Sequence, residues 1–229
     1  MRRIGFGMCL VGFVLAVLAG VLGAVHWIGT DGELYYRYQM EEEIPEYAGI
    51  SEEELLGLDG CLADYLGGDP QALDGLAVCV FGELQPAFND REMQHMDDCF
   101  KLFVLLRRVL AGAAVLAVLT VGLGIHLLRD RRRIRLAAWL ALPVLLIPLG
   151  IFALWAVQDF NAAFTFFHEM LFTNDLWLLD PRTSIMINML PGNLFFDLVA
   201  GIIIRFLICM IVLYAVVCFL VPHLWSART

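Results

Sequence analysis

The chain has 229 residues, 60% of them hydrophobic and 17% charged, with a mean hydropathy of +0.76 and 24 acidic against 15 basic side chains, a net charge of −9. Soluble domains average roughly 45–50% apolar and about 25% charged residues, which argues against a water-soluble globule and requires the charge to be segregated. An acidic chain with no basic face also lacks the phosphate-contacting surface of a nucleic-acid binder, so nucleic acid is excluded as a partner.

Residues 4–28 contain no Asp, Glu, Lys or Arg. A helical span needs about 20 apolar residues, and a cleaved signal peptide has an apolar region of only about 7–15, so this stretch reads as an anchoring first span. Further spans are predicted over residues 109–128, 136–157 and 198–221. The expected fold class is therefore all-α, a polytopic membrane protein of four transmembrane helices forming one integral domain. Lys and Arg collect on the cytoplasmic side of spans. Arg2, Arg3, the run from Arg129 to Arg135 and Arg228 all fall on one side of an alternating four-span arrangement, which predicts both termini in the cytoplasm. Residues 129–135 then form the cytoplasmic loop, and residues 29–108 and 158–197 are external. Residues 31–98 hold 18 acidic and two basic side chains, a local −16 that leaves +7 for the rest of the chain.

The first external loop is too long for a bare connection, so it is expected to fold. Ser51 with Glu54 fits a capping box, and so does Asn89 with Glu92, which predicts a helix from residue 90 that continues into the second span. On that helix Glu92, His95, Asp98 and Cys99 share a face by i,i+3 and i,i+4 spacing. Carboxylate neighbours raise an imidazole pKa and fix its tautomer, as general acid/base chemistry requires. A surface histidine on a charged helix is the other reading of the same residues.

The second external segment is apolar and aromatic from Phe160 to Leu179 without being long enough to span. Aromatic belts of this kind sit at the headgroup level, which places His168 and Glu169 at the outer membrane surface. Asp175 and Asp180 follow, and Pro181 ends the element. His26, His126 and His223 lie at span ends, where an interfacial histidine needs no special role. Two histidines at ester depth, oriented by carboxylates, can move protons at a lipid ester. No Gly-x-Ser-x-Gly or Ser-x-x-Lys sequence supplies a serine nucleophile; Cys99, four residues after His95, is a candidate thiolate. A zinc shell from His95, His168, Glu169 and Asp98 is a rival arrangement, without the His-Glu-x-x-His or Cys-x-x-Cys spacing that would favour it. Arg205 inside the fourth span is a candidate for pairing with Asp197 or Glu169, or for binding a lipid carbonyl or phosphate. Cys61 and Cys79 could be bridged in an oxidising compartment; the spacing leaves this open.

Arg91-Glu92-x-x-His95-Met96-x-Asp98 ahead of the second span is followed by Phe167-His168-Glu169, by Phe172-x-Asn174-Asp175-x-Trp177-x-Leu179-Asp180, and by Pro191 with Phe195-Phe196. This ordered set resembles the bacterial lipoprotein intramolecular transacylase family, and the four-span layout extends the resemblance over the whole chain. The resemblance implies an enzyme of the bacterial cell membrane that moves the sn-2 acyl chain of a diacylglyceryl-modified N-terminal cysteine to the α-amino group of that cysteine, giving a lyso-form lipoprotein. Diacylated lipoproteins and membrane lipid would be its partners, with no cofactor or metal required, and His95 and His168 would be its catalytic histidines. Supporting roles for Glu92, Asp98, Glu169, Asp175 and Asp180, and substrate contacts for Trp177 and Arg205, are our reading of the residues. Cys99 and Ser184 depart from the expected pattern, where an aliphatic and an acidic residue would stand; Ser184 removes any carboxylate role at that position. Two other classes of function remain on sequence grounds: a non-catalytic membrane scaffold whose acidic loop binds a partner, and a zinc-dependent lipid hydrolase.

Overall fold

The computed structural model describes residues 1–217. The predicted Arg228, His223 and the last residues of the fourth span, 218–221, lie outside them. Among the described residues, four helices are long and apolar enough to cross a membrane: α1 (Arg2–Gly29), α5 (Asp90–Leu128), α6 (Arg131–Gln158) and α9 (Gly192–Ala215). Between them lie α2 (Gly32–Glu41), α3 (Ile44–Ala48), α4 (Glu52–Gly67), the strands β1 (Ala77–Val80) and β2 (Glu83–Pro86), α7 (Phe160–Leu171) and α8 (Ile185–Met189). The four predicted spans are thus present, and the helix predicted from residue 90 does continue into the second. At about 1.5 Å per residue the 39 residues of α5 reach roughly 58 Å. That is longer than a hydrocarbon core of about 30 Å, so the polar first part of α5, up to Arg107 and Arg108, projects beyond it.

The chain divides into two compact units. The first combines Met1–Ala24, Arg107–Phe166 and the described residues from Ile203 onward. Its helices meet through small side chains. A Cβ on Gly12 would lie 2.5 Å from Thr120 Oγ1, and one on Gly124 would lie 2.7 Å from Cys9 Sγ and 2.8 Å from the Cys9 backbone nitrogen. On α6, Ile134, Ala137, Ala138 and Ala141 are buried, one stripe at helical spacing, and the hydroxyl of Tyr214 on α9 donates to the Ala138 carbonyl. The opposite surface exposes Leu140, Val144, Ile147, Ile151 and Leu154. Lipid tails solvate such side chains as well as a protein core would, so tight packing of small residues, and not apolar burial, holds these helices together.

The second unit comprises Val25–Leu106 and Phe167–Ile202. Its acidic segment folds around a core that includes Leu34, Tyr35, Leu55, Leu58, Leu62, Val78, Met96, Met186, Met189 and Leu194. Ser51 caps α4 by accepting from Glu54 N, and the Glu54 carboxylate returns to the Ser51 hydroxyl at 2.7 Å and to Cys79 N at 2.9 Å, so the predicted cap also fastens the hairpin. Among the described residues, that hairpin departs from the all-helical expectation. Its strands pair antiparallel, Ala77 opposite Pro86 and Val80 opposite Glu83. The two turn residues Phe81 and Gly82 both have positive φ, 50° and 88°, the geometry that suits a two-residue hairpin loop. Four residues per strand are too few to show an alternating pattern in sequence. Tyr65 Oη donates to Asp97 Oδ1 at 2.9 Å and its ring packs 5.0 Å from Phe100, joining α4 to α5. Inside the core, Gln39 donates to Asp59 Oδ1 and to the Met189 carbonyl. Burial pushes the Asp59 carboxyl up to about 8, opposed by the Gln39 bond. Cys61 and Cys79 are both free thiols.

Filling a contact where backbones nearly touch forces helices apart, at roughly 1–3 kcal/mol for an overpacked site. Gly124→Leu is expected to lower the thermal unfolding midpoint in detergent by several degrees. Gly122→Leu, whose Cβ would meet nothing within 4 Å, is expected to leave it unchanged, and equal midpoints for the two variants would contradict the packing described.

Candidate active site

His95 lies on the projecting part of α5 and His168 near the end of α7, each 8% exposed. Their ring centroids are 6.2 Å apart at 38°. Phe172 contacts both: it meets His95 edge-on at 5.2 Å and stacks with His168 at 5.8 Å. Trp177 stacks on His168 at 4.8 Å and 28°. The sequence alone could not say whether two histidines 73 positions apart converge, and the fold brings them together within one unit.

The supporting residues are placed differently from the expectation of a histidine flanked by free carboxylates. Glu92 is 1% exposed and all of its bonding goes elsewhere. Oε2 accepts from Asn89 N at 2.6 Å, completing the predicted capping box, while Oε1 accepts from Ser184 Oγ at 2.5 Å and Met186 N at 2.9 Å. Asn89 Oδ1 in turn accepts from Arg91 N and Glu92 N. The buried carboxylate therefore fastens the segment around α8 to the start of α5. Ser184, read from sequence only as a departure, is the donor that makes this possible, and it also caps α8 by accepting from Ile187 N. Nothing in the local sequence connects residue 92 with residue 184.

Asp98 is likewise engaged. It accepts from Asn174 Nδ2 at 2.8 Å and from Lys101 Nζ at 3.1 Å, and the Asn174 bond leads in holding its carboxyl below the usual range. The Asn174 carbonyl receives Trp177 Nε1 at 3.1 Å, and Asn174 Oδ1 receives Leu176 N. Arg91 donates to the Asp175 carbonyl and lies 3.5 Å from its carboxylate. Asp98 and Arg91 thus pin residues 174–177 onto α5 on either side of His95 in sequence, and that turn carries the Trp177 ring that stacks on His168. In this geometry the Trp177 ring packs against the His168 ring. Glu169 is exposed and adjacent to His168 on the helix, and successive helical residues do not face each other, so it does not occupy the orienting position expected of it. Asp180 serves its own turn, bonded to Arg182 through both carboxylate oxygens, and that guanidinium holds its carboxyl down at about 2. Arg205 lies on α9 within the first unit.

The His95 environment reverses the predicted pKa shift. Burial pushes its imidazole down to about 4, the neighbouring His168 adds to this, and Asp98 opposes both. The Nε2 atom lies 3.6 Å from Cys99 Sγ. Burial also pushes the Cys99 thiol up to about 12, aided by the charge of Asp98, so Cys99 stays a thiol and is a poor nucleophile. His95 Nδ1 is buried without a hydrogen-bond partner among the described residues. An unpaired buried polar atom is costly in an idle core and calls for an explanation. Among the described residues no group of three or more His, Cys, Asp or Glu side chains is gathered as a metal shell.

Residues 10–196 match the family described as lipoprotein intramolecular transacylase Lit. The chain belongs to the lipoprotein intramolecular transacylase family. No curated protein sequence matches it. Its fold is similar to that of the membrane-integral lipoprotein intramolecular transacylase Lit from Bacillus cereus, with a TM-score of 0.80 at 20% identity over 97% of this chain and 98% of that one. Two further structures of the Bacillus cereus protein, one with a histidine replaced by arginine and one with a histidine replaced by alanine, give TM-scores of 0.72 and 0.69. Each is 21% identical and covers 99% and 97% of this chain and 95% and 94% of theirs. This transacylase is thus a multi-pass membrane protein with the family's fold, and its paired histidines sit in the part of the chain that the family match covers.

The burial of His95 has a direct readout. The His95 ring, followed by NMR of ring-labelled protein in micelles, is expected to stay neutral through the ordinary imidazole value of about 6.5 and to take up a proton only near about 4. A midpoint at or above the ordinary value would contradict it.

Proposed function

We propose that His95 and His168 together transfer the sn-2 acyl chain of a diacylglyceryl-modified N-terminal cysteine to that cysteine's own α-amino group, leaving a lyso-form lipoprotein. The observation that carries this reading is the unpartnered, buried Nδ1 of His95 beside the His168 ring. With Nε2 turned to the Cys99 sulfur, the tautomer protonated at Nε2 leaves the Nδ1 lone pair open as a base. The α-amine in its neutral form attacks the ester carbonyl, and neutral His95 takes one of its N–H protons as the C–N bond forms. The carbonyl oxygen becomes an oxyanion, and collapse breaks the C–O bond to the sn-2 oxygen. That oxygen then receives a proton, so one N–H is exchanged for one O–H and the acyl group ends as an amide.

His168 faces the same space and is our choice for stabilising the oxyanion or protonating the departing oxygen. Two imidazoles this close disfavour carrying two protons at once, which suits a pair that passes a single proton from amine to glycerol oxygen. Amine and ester belong to one substrate, so proximity supplies much of the rate and no enzyme nucleophile is needed. The Arg-rich α5–α6 turn supports a cytoplasmic position for that loop and for the N-terminus. It follows that the histidine pair lies on the external face, where a lipid-anchored substrate enters from the outer leaflet.

Removing an acid or base costs typically a factor of 10² to 10⁴. His95→Ala and His168→Ala are each expected to lower formation of the N-acylated product by roughly 10²-fold or more, read by mass spectrometry of the N-terminal lipopeptide. Trp177→Ala is expected to lower turnover more than it raises the apparent KM, because it loosens His168 and not the substrate. Unchanged lyso-product in both histidine variants would overturn the proposal.

A further inference from the structure

The turn between α5 and α6 holds a charged cavity that the transacylase chemistry does not use. It measures about 440 Å³ and is lined by Arg2, Arg129, Arg131 and Arg132 around Leu127 and Leu128, with Asp130 as its single acidic lining residue. That carboxylate is already engaged: it caps α6 by accepting from Arg132 N and Arg133 N, and Arg133 Nε lies 3.6 Å from it. Arg129 adopts the left-handed backbone conformation, φ 48°, and its Nε donates to the His126 carbonyl at 3.2 Å, which shapes the rim of the turn. Arg3, Arg133 and Arg135 bring the sequence around the cavity to seven arginines against one acid.

The charge sits at the ends of apolar helices. Ile4, Leu123, Leu136, Trp139 and Leu140, within about three turns of the cavity on α1, α5 and α6, are exposed. A ligand that satisfies both features is anionic at one end and has long apolar chains at the other. Guanidinium groups bind phosphate oxygens through paired N–H donors. A free anion would use the arginines and leave the apolar walls unused, and a zwitterionic lipid would bring a cation of its own against them.

We infer that this cavity seats the phosphodiester headgroup of an anionic phospholipid, with the acyl chains lying along the exposed apolar faces of α1, α5 and α6. The site is independent of the histidine pair: none of its residues belongs to the proposed catalytic machinery, so the two readings fail separately.

The test uses the full-length protein, purified in detergent and offered equal amounts of dioleoyl phosphatidylglycerol and dioleoyl phosphatidylcholine, with retained lipid counted by native mass spectrometry. The protein is expected to retain phosphatidylglycerol about tenfold or more over phosphatidylcholine, and Arg2→Gln combined with Arg132→Gln to weaken that retention about thirtyfold, roughly a factor of five for each interfacial charge. Inorganic phosphate in molar excess is expected not to displace the lipid, and Arg37→Gln, outside the cavity, to change nothing. A salt series on the unaltered protein reads the same interaction without a substitution, and the selectivity is expected to fall as screening increases. Equal retention of the two lipids, unchanged retention in the double variant, displacement by inorganic phosphate, or selectivity indifferent to salt would each overturn the inference.

Discussion

A single buried carboxylate sets the register of the site. Glu92 is almost wholly removed from solvent and receives three short hydrogen bonds, one from its own helix start and two from residues 184 and 186. A buried charge is tolerated only when it is paired or fully hydrogen-bonded, so the segment around α8 cannot leave α5 without stranding it. Removing one such donor from a charged acceptor costs about 1.5–3 kcal/mol. The second tether, Asp98 with Asn174, lies two turns further along the same helix. His95 sits between the two, and the strand of chain they secure carries Trp177, whose ring lies against His168. One helix thereby becomes the ruler along which both histidines are placed.

Around this polar clasp the chain solves two different solvation problems. In the second unit an acidic, loop-like sequence builds an aqueous-style core, with Leu55, Leu58 and Leu62 at helical spacing turned inward. In the first unit apolar side chains point outward and the helices approach through Gly5, Gly12 and Gly124. The uneven charge distribution of the chain follows from this division, with −16 concentrated in residues 31–98 and +7 elsewhere. Burial keeps His95 neutral against the pull of Asp98 and keeps Cys99 a thiol, and among the described residues the Nδ1 of His95 has no hydrogen-bond partner.

The spans were legible because each is a long apolar run with almost no charge, with arginines at one end of the first three, and the start of α5 because Asn89 and Glu92 form a reciprocal cap in three residues. Local signals of this kind survive folding. The carboxylate roles were not legible for the opposite reason. Helical spacing put Glu92 and Asp98 on the His95 side of α5, but beside the local bonds from Asn89 and Lys101 their other bonds come from Ser184, Met186 and Asn174, residues more than 70 positions away. Position 184 reads as the loss of an acid until Glu92 is seen opposite it. The hairpin escaped because four-residue strands carry no period, and the depressed His95 pKa because sequence shows which charges are near but not how much water is excluded. Several members of the motif set from Arg91 to Asp180, among them Arg91, Asp98, Phe172, Asn174 and Trp177, lie around the two rings.

The two imidazoles lie beside one another, their ring centroids 6.2 Å apart, held in register by the Glu92 clasp. Solid-state NMR of protein with isotopically labelled histidine rings in lipid bilayers measures this without reference to turnover. The expected result is a through-space ring-to-ring correlation between His95 and His168, consistent with centroids 6.2 Å apart, and its weakening in Ser184→Ala. No correlation in the unaltered protein, or one indifferent to the loss of the Ser184 hydroxyl, would contradict the account.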